Sequence, residues 1–387
     1  MIKQSIKQVF AVIYQYDVHF TTDLFAEDNP LLPRFFADRA AEVVPKLLAV
    51  VDEGVATHHE GLIEQVTTCF NRIPHISLIA EVMVVPGGEA VKNDHPIVDR
   101  IIDAVDRHGI DRHSYILAIG GGAVLDAVGY AAAIAHRGIR HIRVPTTVLS
   151  QNDSGMGVKN GVNSRGKKNF IGTFSPPVAV FNDNLFLTTL SHREWLAGIS
   201  EAIKVALIKD AAFFEWIANH TDRLYNRDME TMKYLIYRCA ELHLQHIAGA
   251  DPFEFGSSRP LDFGHWSAHK LEQLSGFAIV HGEAVAIGIA LDSLYSSLAG
   301  LLPEADGQRI LDTLQAVGLP ISHPILETSN GQHPLLAGLE EFREHLGGRL
   351  TIMLLQAIGN GVEVNSLDND LVLQAATVLQ RRAAIHS

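Results

Sequence analysis

The sequence has few of the features that carry several common functions. Only two of its 387 residues are cysteine, Cys69 and Cys239. That is too few for a disulfide framework or a CxxC metal knot, and it favours the cytoplasm. No apolar run reaches the roughly 18 residues of a membrane span, and the opening Met1-Ile2-Lys3-Gln4-Ser5 lacks the basic and apolar regions of a secretory leader. Positive charge is scarce, with 31 Lys and Arg against 44 Asp and Glu, a net −13. Such a balance works against broad contact with nucleic acid or anionic lipid. There is no low-complexity tract and no repeat of the roughly 20 to 50 residues that marks a solenoid.

What is present reads as an ordinary globular enzyme, 47% apolar and 19% charged. Its length exceeds what one core usually organises, so two domains are expected. Residues 5 to 22 alternate apolar and polar side chains and predict an opening strand pair. A helical stretch over Leu32 to Val44 then leads into the strand Leu47 to Val51, and a second helix leads into Val82 to Pro86. Tyr115 to Ile119 and His141 to Val144 are further strands, and alternating helices and strands predict a parallel sheet. Beyond about residue 190 amphipathic stretches dominate: Glu194 to Asp210, Met229 to Ile247, Trp266 to Leu274 and Glu283 to Leu298. The expected architecture is an α/β dinucleotide-binding domain over 1–190 and a mainly helical domain over 191–387, which binds metal and substrate.

Gly120-Gly121-Gly122 follows a strand and opens a helix, the arrangement that sets backbone N–H groups against a pyrophosphate. It is not a full GxGxxG, and a tight turn alone would use the same residues. Pro86-Gly87-Gly88-Glu89 ends another strand and offers a carboxylate to ribose hydroxyls. His265 and His269 stand four apart and share a helical face, and His281 follows just before another helix. Glu201, three residues from Lys204, is either half of a surface ion pair or, with two of these histidines, a three-ligand set. A set of three leaves a coordination position open, as in catalytic zinc sites. Between Asp153 and Asn169, glycines alternate with Lys and Asn in what reads as a flexible loop suited to an anionic or polyhydroxyl ligand.

Taken in order, Gly120 to Asp126, Arg137-Gly138, Val144-Pro145-Thr146-Thr147, the 153–169 segment, Glu201 to Lys204, Phe263-Gly264-His265 and His281-Gly282-Glu283 resemble 3-dehydroquinate synthase and its relatives, the sugar-phosphate cyclases. The resemblance spans roughly residues 80 to 300. It implies a Rossmann-like NAD-binding domain and a divalent metal, zinc or cobalt, on Glu201, His265 and His281. Asp126, Thr146, Thr147, Phe186 and Thr189 would line the cofactor site, with Asp52, Glu89 and Lys92 beside them. Asp153, Lys159, Lys168, Asn169, Lys204 and His269 would meet a small sugar phosphate. Arg137 matches a residue that reaches the phosphate from the neighbouring subunit, which implies a homodimer. The implied chemistry is transient oxidation by NAD+, loss of phosphate, return of the hydride and aldol ring closure, a lyase reaction without net redox change.

The chain departs from true 3-dehydroquinate synthases near the substrate carboxylate. A Lys is replaced by Leu244, the carboxylate-handling Arg falls at Ser258 with Arg259 displaced by one, and an Asn is replaced by Asp262. Fewer cations and one more anion disfavour a carboxylate-bearing sugar. An acid at Asp262 resembles the 2-epi-5-epi-valiolone synthases, which cyclise sedoheptulose 7-phosphate, although His269 is retained as in 3-dehydroquinate synthase. His243, His246 or Arg259 could restore a cation. The alternatives are a 3-dehydroquinate synthase, an iron-type polyol dehydrogenase and a scaffold that has lost its chemistry.

Overall fold

The computed structural model describes residues 5–93, 95–165, 167–249, 251–253, 260–326, 334–345 and 350–385. Strands β1 (Asp17–Thr21), β2 (Lys46–Asp52), β3 (Ser77–Leu78), β4 (Met83–Val85), β5 (Tyr115–Gly120), β6 (Arg140–Pro145) and β9 (Ala179–Asp183) form one seven-stranded sheet. Its order is β1-β9-β6-β5-β2-β3, with β4 also on β2, and every pairing is parallel. The central strands read as unbroken apolar runs because both faces are covered. Leu48, Val50, Ile116 and Ala118 point to one face, where they pack with Val124, Leu125 and Val128 of the helix Gly122–Ile134. Leu47, Ala49, Val51, Leu117 and Ile119 point to the other, against Phe35, Phe36 and Phe70. The chain is thus an α/β fold with a parallel sheet, as the alternating pattern predicts.

From β2 the chain steps outward to β3 and β4, then returns to lay β5 on the other side of β2. The direction of winding reverses between β2 and β5. In open α/β sheets ligands bind at such a point, beyond the carboxyl ends of the strands.

The second half is mostly helical and has its own core, which includes Trp195, Phe214, Trp266 and Leu291. It also carries an antiparallel hairpin of β10 (Ile352–Ala357) and β11 (Asn360–Val364). Among the described residues no helix is long and apolar enough to cross a membrane.

Four local expectations need correction. The opening strand pair does not form: residues 5–16 have no regular structure, and Ile6, Val9, Phe10 and Ile13 are exposed. Only Asp17–Thr21 finds a partner strand, because alternation forms a strand only where an edge is free to pair. The first helix covers only Leu31–Ala37. The 194–210 stretch is two helices, His192–Ala197 and Ile199–Lys209, broken at Gly198. The 153–169 segment is not a flexible loop but a short π-type turn, Ser150–Ser154, that leads into a hairpin of β7 (Lys159–Ser164) and β8 (Lys167–Phe174).

Candidate active site

Three helices bring their first turns together. Glu201 lies in the first turn of Ile199–Lys209, His265 opens His265–Leu274, and His281 opens His281–Leu298. Two glycines allow this approach. A Cβ on Gly282 would lie 1.9 Å from the Ala197 carbonyl oxygen, and one on Gly288 would lie 1.9 Å from that of Gly264. Any larger residue at either place would push the His281 helix away from one of its neighbours.

Each histidine ring is held by one nitrogen. His265 Nδ1 stands 3.1 Å from the Phe263 carbonyl oxygen, which can only accept, so the proton belongs on Nδ1. His281 Nδ1 stands 3.2 Å from Glu272 Oε2. Both Nε2 atoms face Glu201 Oε1, at 3.7 Å from His265 and 3.4 Å from His281. The Glu201 oxygens are buried and have no hydrogen bond of regular geometry. In tetrahedral zinc with bonds of about 2.0–2.1 Å, neighbouring donor atoms stand about 3.3 Å apart. Two imidazole nitrogens and a carboxylate oxygen at this spacing fit a divalent ion.

Charges around the cluster are set by burial and pairing. Lys204 Nζ lies 2.5 Å from Glu201 Oε2, so this pair is interior, not a surface ion pair. Desolvation would raise the Glu201 carboxyl, but Lys204 and the two imidazoles hold it well below its ordinary range. Desolvation, then Lys204, lowers His265 and keeps it neutral. His281 goes the other way: desolvation opposes its charge, but the Glu201 and Glu272 carboxylates beside its two nitrogens raise it to about 9 in the metal-free protein. His269 is exposed beside the two ligand histidines, its ring centroid 5.6 Å from that of His265 and 6.2 Å from that of His281. Desolvation by the surrounding chain, with these two neighbours, lowers its pKa. Desolvation would also raise Asp153, yet Lys204 and His243 bring it below the ordinary carboxyl value.

The glycine triad sits at the reversal point of the sheet. Gly120 ends β5, and Gly121 caps the following helix with no side chain of its own. Asp52, at the end of β2, accepts from the Gly54 N–H at 2.8 Å and faces the Gly121 N–H. A Cβ on Gly122 would lie 2.5 Å from Ser154 Oγ, and one on Gly87 would lie 2.5 Å from Asp52 Oδ1. Lys92 pairs with Asp126 at 2.7 Å, and Glu89 accepts from Asn163 at 2.8 Å. Thr146 and Thr147 follow β6, and Phe186 and Thr189 follow β9. These residues gather at the carboxyl ends of the parallel strands, where backbone N–H groups and a bare helix N-terminus suit a pyrophosphate.

Residues 82–197 match the 3-dehydroquinate synthase N-terminal family, and residues 198–336 match the 3-dehydroquinate synthase C-terminal family. The chain belongs to the 3-dehydroquinate synthase family. A 3-dehydroquinate synthase of Shewanella frigidimarina is 33% identical over 93% of this chain and 95% of its own. One from a Nitratiruptor species is 34% identical over 78% of this chain and 83% of its own. The fold is also that of ValA, the 2-epi-5-epi-valiolone synthase of Streptomyces hygroscopicus subsp. jinggangensis 5008, solved with NAD+ and Zn2+ bound. That match is 30% identical with a TM-score of 0.86, over 97% of this chain and 100% of ValA.

The other residues expected from the 3-dehydroquinate synthase resemblance fall into three groups. Asp153, Lys204, His269 and Lys168 surround the ligand cluster: Lys168 reaches Glu272 at 2.7 Å, and Asp262 acts electrostatically on Lys204. Asn169 receives its backbone position from Asn163 Oδ1 at 2.8 Å, and Lys159 is exposed at the start of β7. Arg137 lies apart. It is exposed just before β6, at the amino end of the sheet, away from the strand ends that hold the cofactor residues. Arg259 lies outside the described residues. Of the groups that could restore a cation, His243 Nδ1 is 3.0 Å from Asp153 Oδ1, and His246 lies toward Lys209.

Three site residues escape sequence reasoning. Glu272 holds both His281 and Lys168. His59 meets Thr189 Oγ1 at 2.8 Å and packs on Phe186. Arg143, fully buried, donates to the carbonyls of Gly155, Gly157 and Lys159 and to Asn160 Oδ1 at 2.7–3.1 Å, and so fixes the turn between Asp153 and β7.

Proposed function

We propose that the protein is a cytoplasmic, homodimeric sugar-phosphate cyclase, dependent on NAD and a divalent metal, zinc foremost, that acts on a neutral ketose phosphate such as sedoheptulose 7-phosphate. The observation that carries the metal is the convergence of Glu201, His265 and His281, with both Nε2 atoms facing one oxygen of the Glu201 carboxylate. The observation that carries the substrate class is charge. Leu244, which replaces a lysine, packs beside the apolar Met156, Val180 and Ala240, and Asp262 adds an anion near Lys204. A substrate carboxylate would meet repulsion that a carbinol would not. The likeness to ValA over nearly the whole chain supports the same reading.

Bound NAD+ would supply a reversible hydride acceptor and the divalent ion Lewis acidity at the substrate oxygens. The chain's own groups do the rest. Lys204 keeps Glu201 and Asp153 ionised and is placed to donate to a substrate hydroxyl. His269, neutral beside the ligand cluster, can take a proton on a ring nitrogen and return it, as a shuttle between substrate carbon and leaving phosphate. Lys168 and Asn169 approach the phosphate, with Lys159 at the mouth. Arg137, at the far end of its own sheet, would serve a neighbouring subunit's site, as the family resemblance implies. The 1–190 and 191–387 halves act as the cofactor domain and the metal and substrate domain.

The test is incubation with NAD+, zinc and, separately, sedoheptulose 7-phosphate or 3-deoxy-arabino-heptulosonate 7-phosphate. Expected results are phosphate release and a cyclic product from the former without net NADH. Turnover of only the carboxylate sugar would overturn the substrate choice, and steady NADH production from glycerol would indicate a polyol dehydrogenase instead.

A further inference from the structure

His265 reaches the metal cluster from an unusual start. Its predecessor, Gly264, caps the helix in the left-handed region at φ 77° and offers no side chain to its own N–H. A Cβ on Gly264 would lie 2.7 Å from the Ile289 backbone nitrogen, so no capping residue fits there. The missing cap comes from the neighbouring helix. Asp292 Oδ2 accepts from the Gly264 backbone N–H at 2.9 Å, and Oδ1 accepts from the Trp266 indole N–H at 2.8 Å. In a capping box the third helical residue reaches back to the cap N–H. Here a carboxylate on the His281–Leu298 helix does so, and it grips the residues on both sides of His265.

This carboxylate is only 1% exposed, and among the described residues it makes no ion pair. Burying it carries a desolvation cost that a leucine of similar volume would not. Its two acceptor oxygens match two donors that would otherwise be buried without partners. The same helix begins with His281, so one rigid element carries one ligand and fixes the direction of the other.

We propose that Asp292 is a positioning residue of the metal centre: its bonds to Gly264 and Trp266 set the direction of His265 Nε2 relative to His281. The inference rests on the metal site of the proposed function and adds a residue outside the ligand set. It predicts that Asp292 matters for metal affinity beyond its effect on folding. Asp292→Asn keeps the shape but sets an amide N–H against one of two N–H donors. Trp266→Phe removes one of the two bonds and leaves the other.

The test compares full-length wild type, Asp292→Asn and Trp266→Phe for thermal stability without metal, for zinc affinity by competition with a chromophoric chelator, and for the visible spectrum of the Co2+ form. Expected is zinc affinity weaker by roughly 10–100-fold in Asp292→Asn, a smaller loss in Trp266→Phe, and an altered Co2+ spectrum in each. If Asp292→Asn does not fold, Trp266→Phe decides. A folded variant with wild-type zinc affinity and Co2+ spectrum overturns the inference, leaving Asp292 a purely structural residue. These readouts need no sugar phosphate, so failure of the cyclase assay leaves them standing. A wild type that binds no zinc overturns the inference and the metal reading together.

Discussion

Glu272 Oε2 lies 3.2 Å from His281 Nδ1, and this contact leaves Nε2 of the ring to face Glu201. The other oxygen of Glu272 lies 2.7 Å from Lys168 Nζ, so one carboxylate ties the metal cluster to the cation expected at the phosphate. Replacing Glu272 with Gln keeps the volume but removes the charge that both partners use. Zinc affinity is expected to fall roughly 10–100-fold, measured by chelator competition, and the KM for the sugar phosphate to rise as Lys168 loses its anchor.

Metal binding should depend on pH with a defined sign. In the metal-free protein the neighbouring Glu201 and Glu272 carboxylates outweigh desolvation and raise His281 to about 9, whereas His265 is already neutral and Glu201 already ionised. Below that pH each bound ion displaces one proton. Apparent zinc affinity should therefore rise about tenfold per pH unit and level off near pH 9. Titrations at several pH values check this, and a flat profile between pH 7 and 8 would contradict it.

Lys204 is the cation that makes a buried Glu201 tolerable, with side chains 4% and 0% exposed respectively. Lys204→Met should destabilise the metal-free protein by roughly 3–5 kcal/mol, because it removes the buried ammonium beside Glu201 and leaves that carboxylate to the His281 imidazole alone. Added zinc should recover part of this loss by neutralising the same carboxylate. Chemical denaturation with and without zinc measures both effects.

Arg143 holds three backbone carbonyls and Asn160 with a planar fork that lysine cannot reproduce. Arg143→Lys should cost on the order of 2 kcal/mol or more of stability. It should also raise KM more than it lowers kcat, since it releases the turn between Asp153 and Lys159 without touching the ligand cluster. Steady-state phosphate release separates the two constants.

Much of this site was legible because its residues form local patterns. The strand running into Gly120-Gly121-Gly122 and the pairing of His265 with His269 need no tertiary knowledge. Glu272 stands seven residues after His265 on the same helical face, so the spacing that exposed His269 could also have exposed it. Asp292, Arg143 and His59 had no such signal, since each meets partners far away in the chain or along an unrelated element. The alternation over residues 5–16 misled because it reports a side-chain pattern, whereas a strand also needs a free edge to pair with. The 153–169 segment misled in the opposite sense: its glycines, read as looseness, include Gly161, which faces Gly172 across the β7–β8 hairpin.

The central claim is that one divalent ion sits among Glu201, His265 and His281, and anomalous diffraction at the zinc edge tests it most directly, on crystals grown with zinc and NAD+. The account predicts a single strong peak within about 2.0–2.2 Å of a Glu201 oxygen and both histidine Nε2 atoms, lost in Glu201→Gln. No peak among these three residues, or zinc bound elsewhere with the cluster closed by direct hydrogen bonds, would contradict it.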